Sequence, residues 1–452
     1  MIETDIKKRL AWVDATRALC VVAVVLLHVQ GLVFGPTNTE YPNEMLGWNS
    51  VTSFLGSFRM PGLFAVSGFL VASRVRRGWS DRQNGVRVAS SLYLYVIWWA
   101  ILSLCLAWHN WNSEFILKFF TQFFAAFSVM WFVFFLAINV IVLTTLHRVH
   151  PAIILGSLAA LSALMLAIDP VAPWANWVLG AYCMFFFALG VYLPSLMSNF
   201  VSSGLWWKIP LVLIVLVVLI EGFRGAPFRS TAWIGLSIMR DTAAVFTAIA
   251  VAAALCLIRP VAIALSYLGR RTLIIYVAHM PLVLLAINIR DGVAGQTFDL
   301  RLAWVIGPGI VTLAIVVACL LLGNLLSRSR VGRGFLDLPP SLRDVILGKR
   351  KPGEETIEDL ENTFSKLPGV ESIRIHRSAE MVLSQDITDS QLKTVVEALR
   401  GLDLRSLSVD VKLPGQIAPS RVLTLEAGSA NTSVPKEQLA LNMRERVLSL
   451  WS

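Results

Sequence analysis

The sequence predicts a mainly α-helical polytopic membrane bundle of about ten transmembrane helices, followed by a small C-terminal α+β domain in the cytosol. Hydrophobic residues make up 56% of the 452-residue chain and charged residues only 15%, too apolar a mixture for one soluble domain. Apolar runs near bilayer-crossing length recur through residues 1–338 and then stop. The excess positive charge stops with them. Of 39 Lys+Arg and 29 Asp+Glu, 24 and 13 respectively precede residue 339, and the remainder is close to neutral. A positive excess confined to the loops of a membrane bundle reports orientation, so no nucleic-acid partner is expected.

Ten spans follow in order, at roughly 15–35, 48–73, 87–108, 126–146, 151–168, 174–193, 207–223, 237–258, 272–290 and 302–326. The first is preceded by Lys7-Lys8-Arg9 and carries no small-residue cleavage site, which reads as an uncleaved span. The aromatic stretch 115–127 is too short to cross and either lies along the interface or extends the fourth span. Arginine-rich loops (Arg74, Arg76, Arg77, Arg82 and Arg87; Arg148; Arg259, Arg270 and Arg271; Arg328, Arg330 and Arg333) alternate with loops poor in Lys and Arg. By the positive-inside rule both termini of this multi-pass cell-membrane protein face the cytoplasm.

The membrane domain is expected over residues 1–338, a charged linker over 339–353 and the α+β domain over 354–452. In the last, residues 355–366 and 388–399 read as helices. Residues 371–385 read as two strands about a turn, 404–412 as a strand, 414–433 as loop and 436–451 as a terminal amphipathic helix. No catalytic motif stands in it, so a protein partner is its expected role. The five cysteines are single and fall in apolar runs without metal-ligand spacing; neither a disulfide nor a metal is expected.

The chemistry rests on ionisable side chains at membrane depth, which are expensive to keep and therefore candidates for function. Arg17 and His28 lie eleven residues apart in the first span, about 16 Å along one helix face, and Asp14 continues the same stripe. Arg59 falls near the middle of the second span, beside Pro61, at a depth similar to His28. His279 lies in the ninth span, one turn beyond Tyr276, and reads as a packing or substrate-contact residue. Glu221, Arg240 and Asp241 lie nearer the outer face, where Glu221 and Asp241 are candidate substrate contacts. Trp131-Phe132 reads as aromatic belt or packing.

Three of these stretches resemble the membrane-bound acyltransferase-3 family. Trp12-Val13-Asp14-Ala15-Thr16-Arg17 continuing to His28 is similar to its arginine–histidine signature. Phe58–Phe69, with Arg59-Met60-Pro61 and Ser67-Gly68-Phe69, resembles its second-span segment. Leu268-Gly269-Arg270-Arg271-Thr272-Leu273 through Tyr276 to His279 is similar to a late segment of the family. The resemblance covers about residues 9–326, and residues 340–452 carry no hydrolase motif of the SGNH kind that some members append.

The resemblance implies transfer of an acyl group, often acetyl, from cytoplasmic acyl-CoA to a hydroxyl of an envelope glycan or glycolipid among the membrane lipids. Arg17, oriented by Asp14, would hold the CoA phosphates, and His28 would act as general base or acyl carrier. Arg59 would stabilise the thioester oxyanion or orient the acceptor. The same ten spans, Pro-broken helix and buried cations also suit a transporter or flippase of an anionic solute or lipid.

Overall fold

The computed structural model describes residues 2–35, 42–107, 113–126, 129–168, 174–202, 204–293, 301–347, 370–375, 379–383, 407–412 and 422–425. They fall into two units, Met1–Leu347 and Gly348–Ser452.

The first unit is helical. Its elements are α1 (Ile2–His28), α2 (Pro42–Arg76), α3 (Gln83–Ala107), α4 (Ser113–Phe124), α5 (Trp131–Thr145), α6 (Pro151–Ala167), α7 (Ala175–Tyr192) and α8 (Pro194–Ser202). They continue with α9 (Leu205–Gly225), α10 (Thr231–Leu255), α11 (Arg259–Arg270), α12 (Thr272–Val293), α13 (Arg301–Ser327), α14 (Arg330–Gly334) and α15 (Pro340–Leu347). Eight of these helices hold a segment long and apolar enough to cross a membrane: α1, α2, α3, α7, α9, α10, α12 and α13. The other two expected spans, α5 and α6, are apolar helices of only 15 and 17 residues. The stretch expected at the interface forms its own short helix, α4, and does not extend α5. The segment 340–347, within the expected linker, is helical in the first unit, where Arg82 donates to the Leu347 carbonyl at 2.8 Å.

The interior is built chiefly from α1, α2, α3, α5, α7, α10 and α12, whose buried side chains form one apolar cluster. α9 leaves half of its Leu, Ile and Val exposed. The α2–α7 crossing is close enough that a Cβ at Gly68 would strike the Phe187 carbonyl oxygen, so a residue without a side chain is required there. α1 changes pitch at its end, where Val29–Phe34 forms a π-helix directly after His28. That turn brings Gln30 against α2. Its Nε2 donates to Asn49 Oδ1 at 2.7 Å.

The second unit contains a four-stranded sheet in the order β1 (Val370–Ile375), β2 (Ala379–Leu383), β3 (Leu407–Lys412) and β4 (Val422–Leu425). β1–β2 and β3–β4 are antiparallel, and β2–β3 is parallel with Ala379 opposite Val409. β4 lies in the stretch expected to be loop. The expected helices at 355–366, 388–399 and 436–451 lie outside the described residues.

Two glycines test this packing. Gly68→Val, which forces a side chain into the α7 backbone, should cost about 1–3 kcal/mol. Gly156→Ala on α6, where nothing lies within 4 Å, should instead be neutral or gain up to about 1 kcal/mol of helix propensity. Thermal midpoints of the detergent-solubilised variants check both. Equal midpoints would refute the close α2–α7 crossing.

Candidate functional site

Two cavities lie along α1. The first gathers around Arg17, where α1 meets the α11–α12 junction. A Cβ at Gly269 would collide with the Asp14 backbone, so glycine lets α11 lie directly on α1. That approach puts the hydroxyl of Thr272, at the start of α12, 2.6 Å from an Arg17 guanidinium nitrogen, from which it accepts. The hydroxyl in turn donates a hydrogen bond to the Gly269 carbonyl at 3.2 Å. The Asp14 carboxylate stands 4.0 Å from both Arg17 and Arg270. Asp14 is therefore near Arg17 as expected, but Thr272 is the closer anchor.

The space beside Arg17 is a cavity of about 310 Å³, and Arg74, Arg87 and Arg343 also line it. The carboxylate in its wall, Asp337, is already occupied by the Ser90 hydroxyl at 3.1 Å and the Leu338 amide at 2.8 Å. Four guanidiniums against one engaged carboxylate make a cavity for a multiply charged anion, since forked donors suit phosphate oxygens. Its deeper wall is apolar and includes Phe132, Leu63 and Tyr276.

The second cavity, of about 290 Å³, is lined by His28 of α1, Arg59 of α2, Tyr276 of α12, Trp131, Asn176 and several aliphatic side chains. Arg59 reaches back along α2 to donate to the Thr52 carbonyl at 3.1 Å. It forms no ion pair among the described residues. The rings of His28 and His279 lie 5.2 Å apart. His279 is fully buried, and its Nδ1 is 2.6 Å from the Tyr276 carbonyl oxygen. A carbonyl only accepts, so Nδ1 carries the proton and Nε2 is left with a lone pair. That Nε2 has no partner among the described residues. The cavity thus offers a histidine with a second, proton-accepting imidazole at its side and a guanidinium across from it.

The remaining expected contacts stand elsewhere. Asp241 is buried, with one carboxylate oxygen taking the Tyr182 hydroxyl at 2.6 Å and the other taking Arg240 at 2.7–2.8 Å. Glu221 pairs with Arg224 at 2.8 Å on the exposed face of α9. Neither residue lines either cavity. Trp131 and Phe132 are interior packing rather than an aromatic belt, one facing each cavity. No metal-holding cluster of His, Cys, Asp or Glu occurs among the described residues. The cysteines are free.

Sequence reasoning did not single out Thr272, Arg87, Arg343 or the wall position of Tyr276. Thr272 and Tyr276 lie within the Leu268–His279 segment and Arg87 lies in an expected arginine-rich loop, where nothing local marks them as cavity walls. Arg343 lay in the expected linker, with nothing to mark it.

A protein-family model described as an acyltransferase domain, that of the acyltransferase-3 family, matches residues 10–323, more than half of the chain. No curated protein and no solved structure matches.

The placement of the two outlying carboxylates is open to direct test. Asp241→Ala strands Arg240 and Tyr182 in the interior and should lower stability by about 3–5 kcal/mol. Glu221→Ala removes half of an exposed pair and should change it by less than about 0.5 kcal/mol. Thermal unfolding in detergent checks the contrast. An Asp241→Ala protein as stable as wild type but inactive would instead make Asp241 a substrate contact.

Proposed function

The chain belongs to the acyltransferase-3 family, and on that premise we propose that it moves an acyl group, acetyl foremost, from cytoplasmic acyl-CoA to a hydroxyl of an envelope glycan or lipid. The observation that carries this reading is the pairing of an arginine-lined cavity with a histidine-lined one along α1. Acyl-CoA has the same two-part character: a polyphosphate at one end and a reactive thioester at the other, joined by a slim arm. The phosphates suit Arg17, Arg74, Arg87 and Arg343, and the thioester suits the His28 cavity. Under the positive-inside rule the arginine-rich loops favour a cytoplasmic side for the first cavity, the side on which acyl-CoA is made.

The chemistry follows from the groups present. The free ring nitrogen of a neutral His28 can take the proton of the acceptor hydroxyl as its oxygen attacks the thioester carbonyl. The lone pair on His279 Nε2 can accept the N–H of the other His28 nitrogen and hold the ring in that tautomer. Arg59 faces the negative charge that gathers on the carbonyl oxygen. The C–S bond then breaks, the ester forms, and the thiolate leaves with the proton that His28 carried. Asp14 shares Arg17 with Thr272 and keeps the guanidinium aimed at the donor.

Purified protein supplied with acetyl-CoA and envelope acceptor should release free thiol and acylate the acceptor. His28→Ala should lower the rate by about 10²–10⁴-fold, the usual contribution of a general base. Arg17→Ala removes a charged hydrogen bond of about 1.5–3 kcal/mol and should raise the donor KM about tenfold or more. Folded variants of both kinds working at wild-type rates would refute the assignment. Solute flux across vesicles without thiol release would favour a transporter.

A further inference from the structure

Among the residues lining the two cavities, Tyr276 is the one that lines both. Its ring is buried, with Phe132 at 5.1 Å on the arginine side and His279 at 5.8 Å on the histidine side. Its hydroxyl donates to the Val129 carbonyl just ahead of α5. The side chain thus bridges from α12 to the head of α5, between the donor cavity and His28. The ring therefore stands where the arginine-lined and histidine-lined cavities adjoin.

We propose that Tyr276 is a gate between the donor and reaction cavities, opened by the donor's own amide-bearing arm, and that its ring restricts the enzyme to short acyl groups. The proposal rests on the acyl-transfer reading above. A buried phenol keeps its hydroxyl bonded, so the gate opens readily only if the incoming group replaces that bond. The pantetheine arm of CoA carries amides, each with one acceptor and one donor. An amide carbonyl can take the Tyr276 hydroxyl while the amide N–H goes to the Val129 carbonyl. The arm inserts into the latch and no polar group is stranded. The acyl group must pass the ring first and then share about 290 Å³ with the acceptor hydroxyl. The walls there include the apolar side chains of Val24, Leu27 and Leu179, so the ring, which the acyl group must pass, is the element that sets its length. The Tyr276 backbone keeps its bond to His279 Nδ1 throughout, so the side chain can swing without disturbing the second imidazole.

The test uses the full-length protein in membrane vesicles that contain the native acceptor. Acetyl-CoA and octanoyl-CoA carry a labelled acyl group; label retained in the envelope fraction and free thiol are both counted. Wild type should retain acetyl strongly over octanoyl. Tyr276→Ala, which removes the barrier, should lower that preference by about tenfold or more. Tyr276→Phe keeps the ring but loses the latch. It should leave the chain-length preference unchanged and raise thiol released per acyl group retained severalfold, as water takes the acyl group as a free acid. A Tyr276→Ala protein that transfers acetyl with wild-type preference would overturn the gate. If Tyr276→Ala fails to accumulate, an unchanged thiol-to-acyl ratio in Tyr276→Phe overturns it instead. Wild-type vesicles that retain no more label than vesicles lacking the protein would sink the acyl-transfer reading, and the gate with it.

Discussion

The hydrogen bond between Arg17 and Thr272 is the contact from which the site is laid out. A guanidinium within a membrane helix needs a partner, and Gly269 makes one available by letting α11 lie on the backbone of Asp14. Once Thr272 is pinned beside α1, helical periodicity carries Tyr276 and His279 along the same face of α12, four and seven residues on. Arg17 meets Thr272 and His28 meets His279, so residue numbers rise together on both helices and α1 and α12 run parallel. The rise is about 16 Å on α1 and about 10 Å on α12 between these contacts, and the long arm of Arg17 covers the difference.

Parallel neighbours constrain topology as well as the site. Between α1 and α12 the described chain has five helices long and apolar enough to cross, α2, α3, α7, α9 and α10, and two shorter ones, α5 and α6. Parallel passage requires an odd number of crossings between the two helices. The short pair therefore either crosses together or stays within the bundle together. Both counts leave α12 running the same way as α1, so the cation–histidine arrangement is the same for eight spans or ten.

What the sequence disclosed about the site is what one helix can disclose. Arg17 and His28 share α1, and their spacing alone puts them on one face. Arg59 shares its depth with His28 through span position alone, and both line the second cavity. Thr272 is 255 positions from Arg17, and no local pattern announces such a pairing. Asp241 was legible as a carboxylate near a helix start, but its saturation by Tyr182 comes from α7, 59 positions away. α15 reads as linker because its eight residues bury nothing of their own, although it supplies Arg343 to the arginine-lined cavity. β4, four residues long, is too short for an alternating pattern to declare itself.

The second cation stands where α1 and α2 come together beyond His28. Arg59 leans on the Thr52 carbonyl, and the Thr52 hydroxyl lies 3.5 Å from Gln30 Oε1, while Gln30 Nε2 holds Asn49. Gln30 reaches α2 because α1 widens into a π-turn immediately after His28, which rotates the residues that follow. A continued α-helix would turn Gln30 away from Asn49 and leave its amide buried without that partner, a costly outcome at this depth. The same irregularity that ends the Arg17–His28 stripe thus ties α1 to the helix carrying Arg59. The guanidinium and the imidazole are thereby held to a common frame across two helices, the fixed placement that the proposed acyl transfer calls for.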